Sequence, residues 1–190
     1  KLYRGVIWRM DSSSKVVYLT FDDGPIPECT PQVLDILSCY GVKASFFMVA
    51  ENAERNPDLL TRVRDEGHSV GNHTYHHVRG HHCTTCAYVE DALHGESVLQ
   101  TKLYRPPHGR MRYAQKKALL LAGYKIYLWD VLTHDYNAHY SSDRMLSIVK
   151  RYTRNGSIIV LHDSLKSKDR MLKLLPRMIE WLRSEGYEFG

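Results

Sequence analysis

The sequence predicts an α/β fold built on a parallel sheet, and three observations predict it. Short runs rich in β-branched and aromatic residues alternate with longer stretches of helical periodicity. Helical stretches begin at a capping residue followed by proline, as at Thr30-Pro31 and Asn56-Pro57. Unusual polar residues fall directly after the strands, which in this fold class bring them to one rim, where the carboxyl-edge loops converge.

The elements follow in order. Residues 16–20 form the first strand, ended by Asp22, Asp23 and the turn-forming Gly24-Pro25. A helix over 31–40 leads to an apolar strand at 44–49. A second helix, 57–66, precedes a short strand near 68–70, and the histidines of 73–77 come next. A helix at 89–100 leads to a strand at 103–105 that closes on Arg105. The helix at 113–122 leads to a strand at 125–129 that closes on Trp129, with Asp130 following. The helix at 142–152 leads to a last strand at 157–161, after which comes His162, and a helix at 169–185 completes the chain.

At 190 residues, with 43% hydrophobic and 25% charged, the chain has the size and composition of one globular domain. No apolar run approaches the ~20 residues of a membrane span. The net charge of +5 is dispersed over helices beside acids and lacks aromatic interleaving, so nucleic acid is not an expected partner. Four cysteines are too few for a disulfide framework. Cys83 and Cys86, after His81 and His82, read as loop thiols because no second ligand pair follows them. No oligomerisation signal stands out, and a monomer is expected. A chain that starts at Lys1 is compatible with removal of a preceding segment.

His73 and His77 are four residues apart, a spacing that on a helical turn would stack both imidazoles over one ion. Taken alone, the pair reads as a surface pair. Asp23 changes that reading, because two successive acids after a buried strand are costly unless a cation or a catalytic role offsets them. Two imidazoles and one carboxylate leave a position open on a divalent ion, as a hydrolytic site requires. Zinc is the expected ion on ligand type, with cobalt, nickel or iron as alternatives. Asp22 is then the spare acid and the natural base. His76 and His68 rank below His77 as ligands.

These residues resemble the polysaccharide deacetylases of carbohydrate esterase family 4, the NodB-homology domain. Thr20 to Gly24 is similar to the first motif of that family and His73-Thr74-Tyr75-His76-His77 to the second. Arg105-Pro106-Pro107-His108-Gly109 is similar to the third, Trp129 to Tyr136 to the fourth, and Leu161-His162-Asp163 to the fifth. The resemblance spans about residues 16–187 and implies a distorted (β/α)7 barrel, TIM-barrel-like. It also implies an acetylated glycan as substrate, such as peptidoglycan or a chitooligosaccharide. The location is left open by the sequence, with a secreted or cell-envelope one favoured over the cytoplasm. In site terms the resemblance implies that Asp22 is the general base, paired with Arg105. Asp23, His73 and His77 would hold the metal, and His162 would be the general acid. A backbone N–H near His108, in the turn after Pro106, would bind the oxyanion, and Trp129 and Leu161 would wall the acetyl pocket, with ordinary core as the other reading of those two.

Two positions depart from the family pattern. His108 replaces an aromatic residue, which alters the pocket wall. Leu132 replaces the acid that orients the catalytic histidine. Side chains repeat every second residue on a strand, so Asp130 is expected to take over that duty, while Asp135 matches a later acid of the motif. O-deacetylation of an acetylated polysaccharide and glycan binding without turnover remain as rival functions.

Overall fold

The computed structural model describes residues 5–11 and 13–190. In chain order the strands and helices are β1 (Val6–Ile7), β2 (Val16–Asp22), α1 (Thr30–Cys39), β3 (Ser45–Met48), α2 (Ala50–Arg55), α3 (Pro57–Asp65), β4 (Ser69–Asn72) and α4 (Thr85–Leu99). They continue with β5 (Leu103–Tyr104), α5 (Tyr113–Leu121), β6 (Lys125–Tyr127), β7 (Val131–Leu132), α6 (Ser142–Tyr152), β8 (Ile158–His162), α7 (Lys168–Ser184) and β9 (Glu188–Phe189). The strands are parallel, in the order β1-β6-β5-β4-β3-β2-β8-β7, and form a distorted (β/α)7 barrel; β9 pairs with the foot of β2.

Alternation along β2 explains the layering. Leu19 and Phe21 are fully buried in the main core, with residues of α1, α6 and α7 such as Leu34, Val149 and Met178. Thr20 and Asp22 therefore face the barrel interior. A second, tyrosine-rich core of Tyr88, Tyr104 and Tyr124 lies under α4 and α5. The Tyr104 hydroxyl donates to that of Tyr88, so the polar tips of this core are paired.

Several elements differ from the sequence expectation for local reasons. Helix α4 begins at Thr85, four residues earlier than expected, because Thr84 Oγ accepts the Ala87 amide as an N-cap. The short helix α2 escapes periodicity because it has six residues and stops at Asn56, before the start of α3 at Pro57. The expected strand 125–129 is split: β6 ends at Tyr127, and the chain re-enters the sheet as β7 on the far side of β8. Two-residue strands such as β1, β7 and β9 carry too few side chains to show a period.

Register brings the strand ends to one rim. Asp22 lies beside Phe47 on one side and His162 on the other, Met48 beside Asn72, and Asn72 beside Tyr104. Every segment with an expected site residue therefore leaves the sheet at its carboxyl edge, except Asp130.

Candidate active site

The first site loop starts at the end of β2. Asp22 is buried, and its Oδ1 accepts from Arg105 Nη1 at 2.6 Å. The same guanidinium donates to Thr20 Oγ1 at 2.8 Å and to the Leu128 carbonyl at 3.2 Å, and it stacks 4.0 Å from the Phe47 ring centroid. Arg105 is wholly buried, so this charge pair is fixed inside the barrel and orients the Asp22 carboxylate.

Asp23 has φ of 85°, a left-handed conformation that is costly for a residue with a Cβ. The fold enforces it from both sides. The Asn52 amide donates to the Asp23 carbonyl, and the next residue, Gly24, packs directly on the Asp163 carboxylate. Asp163 Oδ1 accepts the Gly24 amide at 3.0 Å and Oδ2 accepts the Thr30 hydroxyl at 2.6 Å. A Cβ on Gly24 would lie 2.0 Å from Asp163 Oδ2. Only glycine fits there.

His73 and His77 do not lie on a helical turn. They bracket an irregular segment after β4, in which Thr74 and His77 have φ of 66° and 55°. Side chains fold this segment. Asn72 Oδ1 accepts the Thr74 amide, and Asp91 of α4 accepts the amides of Tyr75 and His76. Asp91 also binds the His76 ring, which accounts for His77 rather than His76 reaching the site. His77 Nε2 lies 3.3 Å and His73 Nε2 3.9 Å from Asp23 Oδ1, and one ligand atom from each of the three residues lies within 4.8 Å of the others. Among the described residues this is the one group placed to hold a metal ion. Cys83 donates instead to backbone carbonyls and Cys86 to Glu90.

The chemistry of the three donors suits a divalent cation. Burial pushes the His73 imidazole down to about 4, so it is neutral. Its Nδ1 donates to the Arg105 carbonyl at 2.8 Å, which leaves the Nε2 lone pair for a ligand role. Burial opposes the charge on Asp23, but the His77 hydrogen bond and the neighbouring His73 and His162 outweigh it and hold the carboxyl well below the usual range.

His162, at the end of β8, stands directly beside Asp22 in register. Asp135 Oδ1 lies 2.8 Å from its Nδ1, and Oδ2 accepts its amide at 2.7 Å. Burial disfavours the imidazolium, but the hydrogen bond and charge of Asp135, with Asp22 and Asp23 nearby, raise it to about 9.

Asp130 is not the residue that supports His162. It accepts from Arg154 Nε, Ser157 Oγ and the Ile158 amide. Register explains the correction. Val131 pairs with Ile159 and Leu132 with Val160, so Asp130 sits at the foot of β8, four residues or ~13 Å below His162. The chain reaches the level of His162 only after β7, where Asp135 stands.

A cavity of about 710 Å³ opens over these groups, walled by Trp8, Leu128, Trp129, Leu132 and Tyr136. Leu161 is not in that wall. It alternates with His162 on β8 and is fully buried in the core. Pro106 lies buried behind the cavity, and its carbonyl accepts the Gly109 amide in the turn that presents His108. Trp129 packs on that turn so closely that a Cβ on Gly109 would lie 2.5 Å from its ring. His108 has φ of 58°, and its ring lies 4.9 Å from that of His77. Sequence reasoning missed Trp8, Leu128 and the anchoring roles of Asp91 and Asp163. Asp163 alone carried a signal, as the last residue of the fifth motif.

A buried acid–arginine pair, a histidine–acid pair and a three-residue metal-type cluster, gathered at the carboxyl rim of a (β/α) barrel, define a hydrolase-type site. Comparison with known proteins agrees with that class. Residues 9–127 match the family model described as polysaccharide deacetylase. A peptidoglycan-N-acetylglucosamine deacetylase of Bacillus cereus is 34% identical over 192 residues, covering 97% of this chain and 89% of the relative. A solved peptidoglycan N-acetylglucosamine deacetylase in complex with 4-naphthalen-1-yl-N-oxidanyl-benzamide superposes with a TM-score of 0.93 at 32% identity, covering 98% of this chain and 90% of that one. The structure of a family 4 pseudoenzyme from Bacillus anthracis also matches, with a TM-score of 0.85 at 25% identity, covering 97% of this chain and 66% of that one. The chain belongs to the polysaccharide deacetylase family of carbohydrate esterase family 4.

Proposed function

We propose that this chain is a metal-dependent deacetylase that hydrolyses N-acetyl groups of amino sugars in a glycan such as peptidoglycan or a chitooligosaccharide, acting as a single-domain monomer. One observation carries the reading. Asp22 and His162 are register partners across β2 and β8, each locked by its own buried partner, and both share one cavity with Asp23 and His77 of the metal-type cluster. A base and an acid that reach the same reacting centre are what amide hydrolysis requires.

The roles follow from the geometry. Asp22, oriented by Arg105, takes the proton of the attacking water. His162 is held protonated by Asp135 and gives its proton to the departing amine. Asp23, His73 and His77 would hold one divalent ion, with zinc best matched to two imidazoles and a carboxylate and cobalt, nickel or iron as alternatives. Such an ion, when bound, supplies Lewis acidity toward the scissile carbonyl and the water. Trp129, Leu132 and Tyr136 give the acetyl methyl an apolar wall.

Leu132 would favour glycan binding without turnover if it left His162 without an acid. The Asp135 contact argues against that reading. The test is acetate release from acetylated chitooligosaccharides, peptidoglycan fragments and acetylxylan, using metal-stripped protein, zinc-restored protein and the Asp22→Asn variant. Release that depends on both zinc and Asp22 supports the proposal. Retention of glycan and metal without release would replace the enzyme with a binding protein, and release from acetylxylan alone would make it an ester hydrolase.

A further inference from the structure

Beside the active-site cavity lies a second groove of about 440 Å³, and the two share Arg79, His108 and Arg110 as a common wall. The groove continues over Gly80, His81 and His82. It therefore starts one imidazole away from the metal-type cluster, since the His108 ring lies 4.9 Å from that of His77.

Its two walls are stitched together by the chain itself. Gln115 Nε2 donates to the Gly80 carbonyl and Arg112 Nη2 to the His81 carbonyl, each at 2.7 Å. Arg79 Nε donates to His108 Nε2 at 3.2 Å. Gly80 is packed so tightly on residues 110–111 that a Cβ there would lie 3.1 Å from the Arg110 carbonyl and 3.0 Å from the Met111 Cα. The backbone of the groove is thus preformed, and Arg79 is held against His108 on its wall.

Its charge is one-sided. Arg79 and Arg110 are exposed and, among the described residues, form no ion pair with a carboxylate, and Lys166 lies across the joined cavity. The two carboxylates lining either cavity are Asp22 and Asp23. Arg105 engages the first, and the second belongs to the metal-type cluster. Unpaired guanidinium groups beside a cavity with no free acid form a receptor for an anion.

We infer that this groove, through Arg79 and Arg110, recognises a carboxylate on the sugar next to the one deacetylated, so that the preferred substrate is an acidic rather than a neutral N-acetylated glycan. The inference rests on the deacetylase reading and names the substrate class of that same site.

The test compares two glycans that differ in charge alone: an oligosaccharide alternating N-acetylglucosamine with N-acetylmuramic acid, and the same oligosaccharide with its lactyl carboxylates converted to primary amides. Wild-type kcat/KM is expected to favour the acid by ~tenfold or more, mainly through KM. Raising the salt from 50 to 300 mM should shrink the preference. Arg110→Gln should bring the ratio towards one, and Arg110→Lys should restore part of it. Equal rates on the two glycans, or a ratio that survives Arg110→Gln, would overturn the inference and leave the deacetylase in place. Calorimetric binding of both glycans separates the two readings if acetate is released from neither: a retained preference for the acid supports the groove, and equal binding removes it.

Discussion

Asp135 grips His162 at two points, one carboxylate oxygen accepting its amide and the other lying 2.8 Å from Nδ1. This arrangement fixes the ring and leaves Nε2 for the cavity. It also keeps the imidazolium charged well past neutrality, up to about 9.

The first prediction concerns that charge. Asp135→Asn should lower the His162 pKa towards its ordinary 6.5 and move the alkaline limb of the kcat/KM profile to lower pH, since His162 donates only when protonated. At pH 8 the protonated fraction, and with it the rate, should fall by roughly 30-fold. The same shift links to stability. The contribution of the His162–Asp135 pair should be complete below about pH 6.5 and fade as pH rises through about 9, because the folded-state value lies above the unfolded one. Urea unfolding of wild type and variant across this window reads that sign. Asp130→Asn serves as the control and should leave the profile where it is.

Removing one partner of the Asp22–Arg105 pair should cost far more than replacing a surface charge. Arg105→Met leaves a buried carboxylate unpaired, and a loss of about 3–5 kcal/mol in urea unfolding is expected. Asp22→Asn keeps the shape and a hydrogen-bond acceptor, so it should fold while acetate release falls by roughly 10²–10⁴-fold. An Asp22→Asn protein with near wild-type rate would remove Asp22 as the base.

Metal dependence is read most directly by unfolding. Zinc at ~100 times its dissociation constant should stabilise wild-type protein by about 2.7 kcal/mol, seen as a rise in Tm. His77→Ala should abolish the rise by removing one of three donors, whereas Cys86→Ser should leave it intact, because that thiol faces Glu90. An equal zinc response in the His77→Ala protein would place the ion elsewhere.

The turn after β2 gives a test of strain. Gly24→Ala forces a methyl group against the Asp163 carboxylate and should both destabilise the protein and displace Asp23. Thr30→Val removes the hydroxyl donor to Asp163 without a clash, and a loss of about 1–3 kcal/mol is expected. Circular dichroism melts with zinc titrations report both effects, and a Gly24→Ala protein with wild-type zinc affinity would show that this turn does not set the Asp23 position.

Sequence alone determined the class of fold and most of the rim. Apolar alternation marked the long strands and helices, and the acids, histidines and arginine that follow them stood out because such residues are costly at a sheet end. What it left undecided is where tertiary register acts. The spacing of His73 and His77 suggested a helix, yet an irregular turn brings them together, held locally by Asn72 and, from helix α4 further along the chain, by Asp91. Local alternation favoured Asp130 as the support of His162, but the pairing of β7 with β8 places it ~13 Å too low and gives that position to Asp135. The same strand alternation sends Leu161 into the core. A single chain records which residues are present and the period on which they repeat. Which of them meet across strands is decided by register, because neighbours in a parallel sheet are joined by long crossovers whose offset no local pattern encodes.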